Sequence, residues 1–85
     1  MVIMTPTIDM KATGRNIARM RRRAGLTISA MQEVFEFNTP QAIYKWQRGD
    51  TLPSIDNLLI LSSIFGTTMD EIIVLNEQRE VERGA

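Results

Sequence analysis

The sequence predicts an all-α domain of five short helices behind an extended N-terminal arm. Three observations carry this. Apolar residues recur at three- and four-residue spacing from residue 13 to about 75, and no segment alternates with period two over a useful length. Gly25, Gly49 and Gly66 stand where periodic runs stop, the place of the left-handed residue after a helix end. Thr13, Thr27, Thr39, Ser54 and Thr68 stand just ahead of such runs, where a hydroxyl accepts from an orphan amide.

Residues 1–12 lack a helical period and carry Pro6 between Thr5 and Thr7, which reads as an arm. Its Val2, Ile3 and Ile8 would pack on the body or pair with another chain. Thr13 is the expected N-cap of a first helix with Ile17, Met20 and Ala24 on one face. Arg21, Arg22 and Arg23 fall in its last turn, where cations complement the helix dipole. Leu26 reads as core, and Thr27 caps a second helix whose inner face is Met31, Val34 and Phe35. Phe37-Asn38-Thr39 breaks the period. Thr39 then caps a third helix, with Pro40 at its first position, where a missing N–H costs nothing. Ile43 and Trp46 point inward from it. Leu52-Pro53 is a connector. Ser54 caps a fourth helix running to Phe65, with Ile55, Leu58, Leu59, Ser62 and Phe65 inward and Leu61 at the edge. Thr68 and Glu71 form a capping box for a fifth helix through about Leu75. From Asn76 the chain is polar and expected to fray. The expected organisation is an arm at 1–12, one domain at 13–75 and a tail at 76–85.

Composition narrows the function. Eighty-five residues allow one domain with a thin core. The absence of both Cys and His removes the usual nucleophile–base pairs and zinc ligand sets, so no enzyme, cofactor or metal is expected. No apolar run approaches the ~20 residues of a membrane span, and no secretory signal is read, so the cytoplasm is the default. No small-molecule ligand is evident. The net charge is zero, yet its distribution is uneven. Residues 11–48 hold eight Lys and Arg against two Glu, a balance of +6, whereas residues 49–85 hold two Arg against seven Asp and Glu, a balance of −5. That asymmetry fits either a basic face for a polyanion or a solvated helix end with an acidic tail.

Two short helices joined by a tight turn, the second beginning near Thr39, make a helix-turn-helix pattern. Gly25-Leu26-Thr27, Met31, Phe35, Phe37, Ile43, Trp46 and Gly49, followed by Leu52 to Leu59 and Leu61 to Ile72, resemble the Cro/lambda-repressor family, also called the XRE type. The likeness spans roughly residues 14–75. It implies a lambda-repressor-like DNA-binding domain, and so a small transcriptional regulator that binds double-stranded DNA sequence-specifically, with a recognition helix at about 40–48 in the major groove. With Ile43 and Trp46 inward, Gln41, Ala42, Tyr44 and Lys45 are the candidates for base contact: Gln for adenine, Lys for guanine, the Ala methyl for the thymine methyl. Thr27, Ser29, Thr39 and Arg48 are the candidates for phosphate. Each also has a plain reading as a cap or a solvated residue, as does the Arg19–Arg23 cluster.

The chain departs from the family pattern at several places. Ile28 stands where relatives carry a phosphate-binding Gln, Gln32 where a small residue is usual, and Glu36 where the turn has Gly. The stretch from Leu26 to Gly49 is one residue longer than is common. An Arg–Glu pair of the family becomes Arg21 and Gln47. On the fourth helix Ile60 and Ile64 are surplus to one apolar stripe. With Ile73 and Val74 they are the expected interface of a homodimer, unless the arm folds over them. A different class of function, a protein-binding module or an antitoxin-like partner on the same fold, stays open.

Overall fold

The computed structural model describes residues 1–76 and 79–82. The order is β1 (Val2–Thr5), α1 (Met10–Arg23), α2 (Ile28–Val34), α3 (Gln41–Arg48), α4 (Ile55–Phe65), α5 (Met69–Ile72) and β2 (Arg79–Glu82). The five helices enclose one core, in which Ile17, Met31, Ile43, Leu61 and Ile72 are fully buried and Phe35, Trp46 and Leu58 nearly so.

Helix α1 starts three residues before Thr13. Asp9 is its N-cap, accepting from the Ala12 amide at 2.9 Å. Thr13 lies inside the helix, buried, and does something else. Its hydroxyl accepts from the Val74 amide at 3.0 Å, and Asn16 beside it donates to the Glu71 and Ile72 carbonyls at 3.0 and 2.9 Å. Two buried polar side chains of α1 thus satisfy the open backbone groups at the end of α5 and dock it. Asn16 also receives a hydrogen bond from Arg19. The fifth helix stops at Ile72 rather than near Leu75, because Ile73 is already extended. Only half of its capping box forms: Thr68 accepts from the Glu71 amide, while the Glu71 carboxylate turns to the Thr67 hydroxyl.

The N-terminal segment is not a free arm, and the tail does not fray throughout. Residues 2–5 pair antiparallel with 82–79, and an Ile8–Leu75 bridge continues the pairing toward the body. Four-residue strands this far apart in sequence leave no periodic trace, so the all-α reading holds for the domain and misses the ribbon.

Helix α4 is rotated relative to the expected stripe. Leu58, Leu61 and Ser62 are buried, and Ile64 and Phe65 pack half-buried against the core. Ile55 is 73% exposed and Leu59 60%. The buried Ser62 hydroxyl donates to the Leu59 carbonyl at 2.7 Å, which is why a serine is tolerated inward. Ile64 and Ile73 therefore belong to the core edge rather than to a free ridge, and Val74 is half-buried with its amide on Thr13. Of the four residues expected at an interface, Ile60 is the exposed one. Val34 on α2, expected inward, is also exposed.

Helices α1, α2, α3 and α4 end the same way. A left-handed residue follows, and the next amide bonds back to a carbonyl of the last turn: Leu26 to Arg21, Phe37 to Gln32, Asp50 to Lys45, Thr67 to Ser62. The left-handed residue is Gly25, Gly49 or Gly66 in three cases and Glu36, at φ 56°, in the fourth. A side chain there costs about 1–2 kcal/mol. Glu36→Gly is expected to stabilise the domain by about 0.5–1 kcal/mol, after the entropy that glycine adds to the unfolded chain, read as a higher urea midpoint at unchanged slope. Gly14, in mid-α1, faces the backbone of α3: a methyl there would press into the Trp46 carbonyl and lie 2.6 Å from that of Gln47. Helix propensity alone favours Gly14→Ala; overpacking is expected to win and destabilise by about 1–3 kcal/mol in the same assay.

Candidate nucleic-acid interface

Helix α3 is eight residues long and divides into two faces. Ile43 and Trp46 are buried. Phe35, Phe37 and Trp46 form an aromatic cluster, with Phe35 stacked on Phe37 at 5.3 Å and both rings edge-on to Trp46 at 5.3 and 5.8 Å. This cluster wedges the turn between α2 and α3 and fixes the rotation of α3 about its axis. Trp46 is thus a core residue, not a ligand platform. Gln32, the departure from a small residue, donates to the Phe37 carbonyl at 3.1 Å and ties α2 to the lengthened turn.

The same rotation turns Gln41, Tyr44, Lys45 and Arg48 outward; all four are exposed. Their spacing of three, four and seven places them on one helical face. Ala42 departs from this set: it is half-buried and packs against the core, at the shoulder of the face. Thr39 does not cap α3. The N-cap is Pro40, and no side chain bonds the first amides of the helix, because the extra residue in the turn moves the helix start past Thr39. Those amides stay available to water or to a phosphate oxygen. At α2, Thr27 accepts from the Ala30 amide at 3.0 Å and serves as the cap, with Ser29 exposed in the same turn.

Two features behind α3 were not read from the sequence. Arg48 pairs with Asp50 at 2.8 Å, both side chains largely in solvent. Lys11, on α1, donates to the Arg48 carbonyl at 3.3 Å. The hydrogen bond from Arg48 holds the Asp50 carboxyl below its ordinary value of 3.8, with Lys11 and Lys45 adding attraction. The Asp50 carboxylate thus partly neutralises Arg48 at the end of α3. Arg21 donates to the Gln47 side-chain oxygen at 3.0 Å and to the Leu26 carbonyl at 2.8 Å, so the neutral amide does accept from the Arg. The result locks the end of α1 to both the α1–α2 turn and the inner edge of α3.

Among the described residues, no group of three or more His, Cys, Asp and Glu is placed to hold a metal ion, and no helix is long and apolar enough to cross a membrane.

Comparison with known proteins agrees with this geometry. A helix-turn-helix family model matches residues 17–72. Two solved structures share the fold, both of the BldD DNA-binding domain. The S. venezulae domain is 20% identical with a TM-score of 0.63, covering 76% of this chain and 96% of that one. A crystal structure of the DNA-binding domain of BldD is 20% identical with a TM-score of 0.64, covering 76% of this chain and 93% of that one. No curated protein matches the chain. With the family model spanning most of the domain, from the middle of α1 to the end of α5, the chain belongs to the XRE-type helix-turn-helix family of DNA-binding regulators.

Proposed function

We propose that the protein binds a specific duplex DNA site as a homodimer, placing the N-terminal half and outer face of α3 in the major groove. The observation that carries this reading is the four-residue outer face of α3, polar and basic, on a helix whose inner face is pinned by the aromatic cluster. In this reading Gln41 and Lys45 touch base edges, Tyr44 touches a sugar, phosphate or base, and Ala42 meets a thymine methyl only from the shoulder. Arg48, Ser29 and the Thr27 turn grip phosphates, with the open amides of α3 beside Thr39. The basic first half of the chain supplies the field. A protein-binding role without DNA would favour an acidic or apolar outer face, which α3 lacks.

Three results are expected. Log affinity for duplex DNA falls with log salt, by a few units per half-site, because phosphate neutralisation releases counterions; a flat salt response in a shift assay removes the reading. Gln41→Ala and Lys45→Ala each relax preference at one base pair by about 1–3 kcal/mol, whereas Arg48→Ala weakens all sequences alike, as competition against random duplex would show. Asp50→Asn frees Arg48 and removes a negative charge beside the phosphate path. It is expected to tighten binding severalfold at low salt, with the gain shrinking as salt rises. Equal or weaker binding by that variant would mean that Arg48 faces no phosphate.

A further inference from the structure

Strands β1 and β2 lie outside the stretch that the helix-turn-helix family model covers, so the family accounts for the domain and not for the ribbon. Neither strand packs extensively on a helix. The molecule is 52 Å long and only 22 by 19 Å across, and the ribbon leaves the body at the Ile8–Leu75 bridge. A two-stranded ribbon standing alone is marginal in water; three or more strands, or a helix packed on it, make such a sheet stable. Val2 and Met4, on one face of β1, are 52% and 50% exposed. Among the described residues each strand has a strand neighbour on one side only, so each presents an open edge. The two edges differ in chemistry. Strand β2 reads Arg-Glu-Val-Glu, with three charges, and β1 reads Val-Ile-Met-Thr, with none. Charge on an edge strand deters pairing with another chain, and the β1 edge has no such protection.

We propose that β1 pairs antiparallel with β1 of a second copy of this chain, giving a four-stranded sheet in the order β2–β1–β1–β2 about a two-fold axis. This rests on the dimer put forward above and places its contact on the ribbon instead of on Ile60, Ile64, Ile73 and Val74. Three observations select this occupant. First, that order puts both uncharged strands at the centre and both charged strands at the outer edges, which closes the sheet against further addition. Second, β1 is complementary to itself. A two-fold axis perpendicular to an antiparallel pair sets residues of the same face opposite each other. An axis at Met4 would set Pro6, which has no N–H to give, opposite Val2; an axis at Ile3 avoids this. Val2 then stands opposite Met4 of the second copy, and Ile3 opposite Ile3. Val2 and Met4 of both copies merge into one apolar patch on one face of the sheet, and Ile3 and Val81, neighbours in the ribbon, do the same on the other. Third, β2 brings two glutamates against one arginine, so the ribbon repels a phosphate backbone and its occupant is not the DNA.

Sedimentation of the full chain from micromolar to hundreds of micromolar tests the contact. The wild type is expected to dimerise. With Val2→Lys and Met4→Lys together, each lysine stands opposite a glutamate of its own ribbon, Glu82 or Glu80, and opposite a lysine across the two-fold axis. That variant is expected to keep the melting and circular dichroism of the wild type while dimerising at least tenfold more weakly. Leu59→Gln, exposed on α4, is expected to leave dimerisation unchanged. Because the chain has no Cys, Ile3→Cys supplies a second measurement that does not depend on the double-lysine variant folding. Opposed residues of an antiparallel pair have Cα atoms about 4.5–5.5 Å apart, within disulfide reach, so mild oxidation should link two copies of it and leave Leu59→Cys unlinked. A wild type that stays monomeric overturns the proposal. So does a double-lysine variant that dimerises like the wild type, a dimer lost through Leu59→Gln, or an Ile3→Cys protein that links no faster than Leu59→Cys. Salt-dependent binding to random duplex, measured in the same samples, separates this from the DNA reading. A monomer that binds DNA fails the contact alone, and a β1-dependent dimer that ignores DNA fails the DNA reading alone.

Discussion

The contact on which the rest of the structure depends is the backbone-to-backbone crossing of α1 and α3 at Gly14. The helix leaves no room there for even a methyl group against the carbonyls of Trp46 and Gln47. Gly49 repeats the arrangement one turn away, where a side chain would meet the Met10 carbonyl at 2.7 Å. Two helices this close are held by many weak contacts acting at short range, and any added atom must move one of them. The position of α3 relative to the body is therefore set by what is missing from α1. Arg21 then fixes the far end of the crossing through Gln47 and Leu26.

From that position the chemistry of the outer face follows. Trp46 and Ile43 fill the space that the crossing leaves, and the Phe35–Phe37 pair closes it from the α2 side. The helix cannot roll without emptying the core, so Gln41, Tyr44, Lys45 and Arg48 are presented on a rigid support. Sequence readout needs this, because a base-edge hydrogen bond loses its discrimination when its donor wanders. The Arg48–Asp50 pair works in the opposite sense. It lies in solvent, where such pairs contribute little to stability, and it partly neutralises the positive charge at the end of α3.

The second half of the domain shows how a small core shares its apolar residues. Helix α4 is apolar nearly all round, so its inner stripe cannot be chosen from the pattern alone. Leu58 and Leu61 went inward and Ile55 and Leu59 outward because Ser54 and Gly66 fix the helix ends, and α5, clamped by Thr13 and Asn16, fixes what α4 packs against. The same clamp directs the chain after Ile72 back along Asp9 and Ile8, where the terminal pairing begins.

Much of this architecture is local chemistry and was legible in the residues themselves. Thr27, Ser54 and Thr68 cap the helices they precede, and Gly25, Gly49 and Gly66 end theirs, because caps and left-handed residues act within a few positions. Ile43 and Trp46 at three-residue spacing gave the inner face of α3, and with it most of the outer one. The tertiary structure decided what depends on partners far along the chain. Asp9 displaced Thr13 as a cap because Thr13 was needed by Val74, sixty-one residues on. Pro40 displaced Thr39 because the longer turn moved the start of α3. Ala42 was drawn to the core, Ile64 and Ile73 were taken from the surface, and four residues at each end found each other as strands. A sequence pattern records periodicity and chain stops, which are short-range. It does not record which of several equally apolar faces meets the body, because that choice is made by the shape of the other helices.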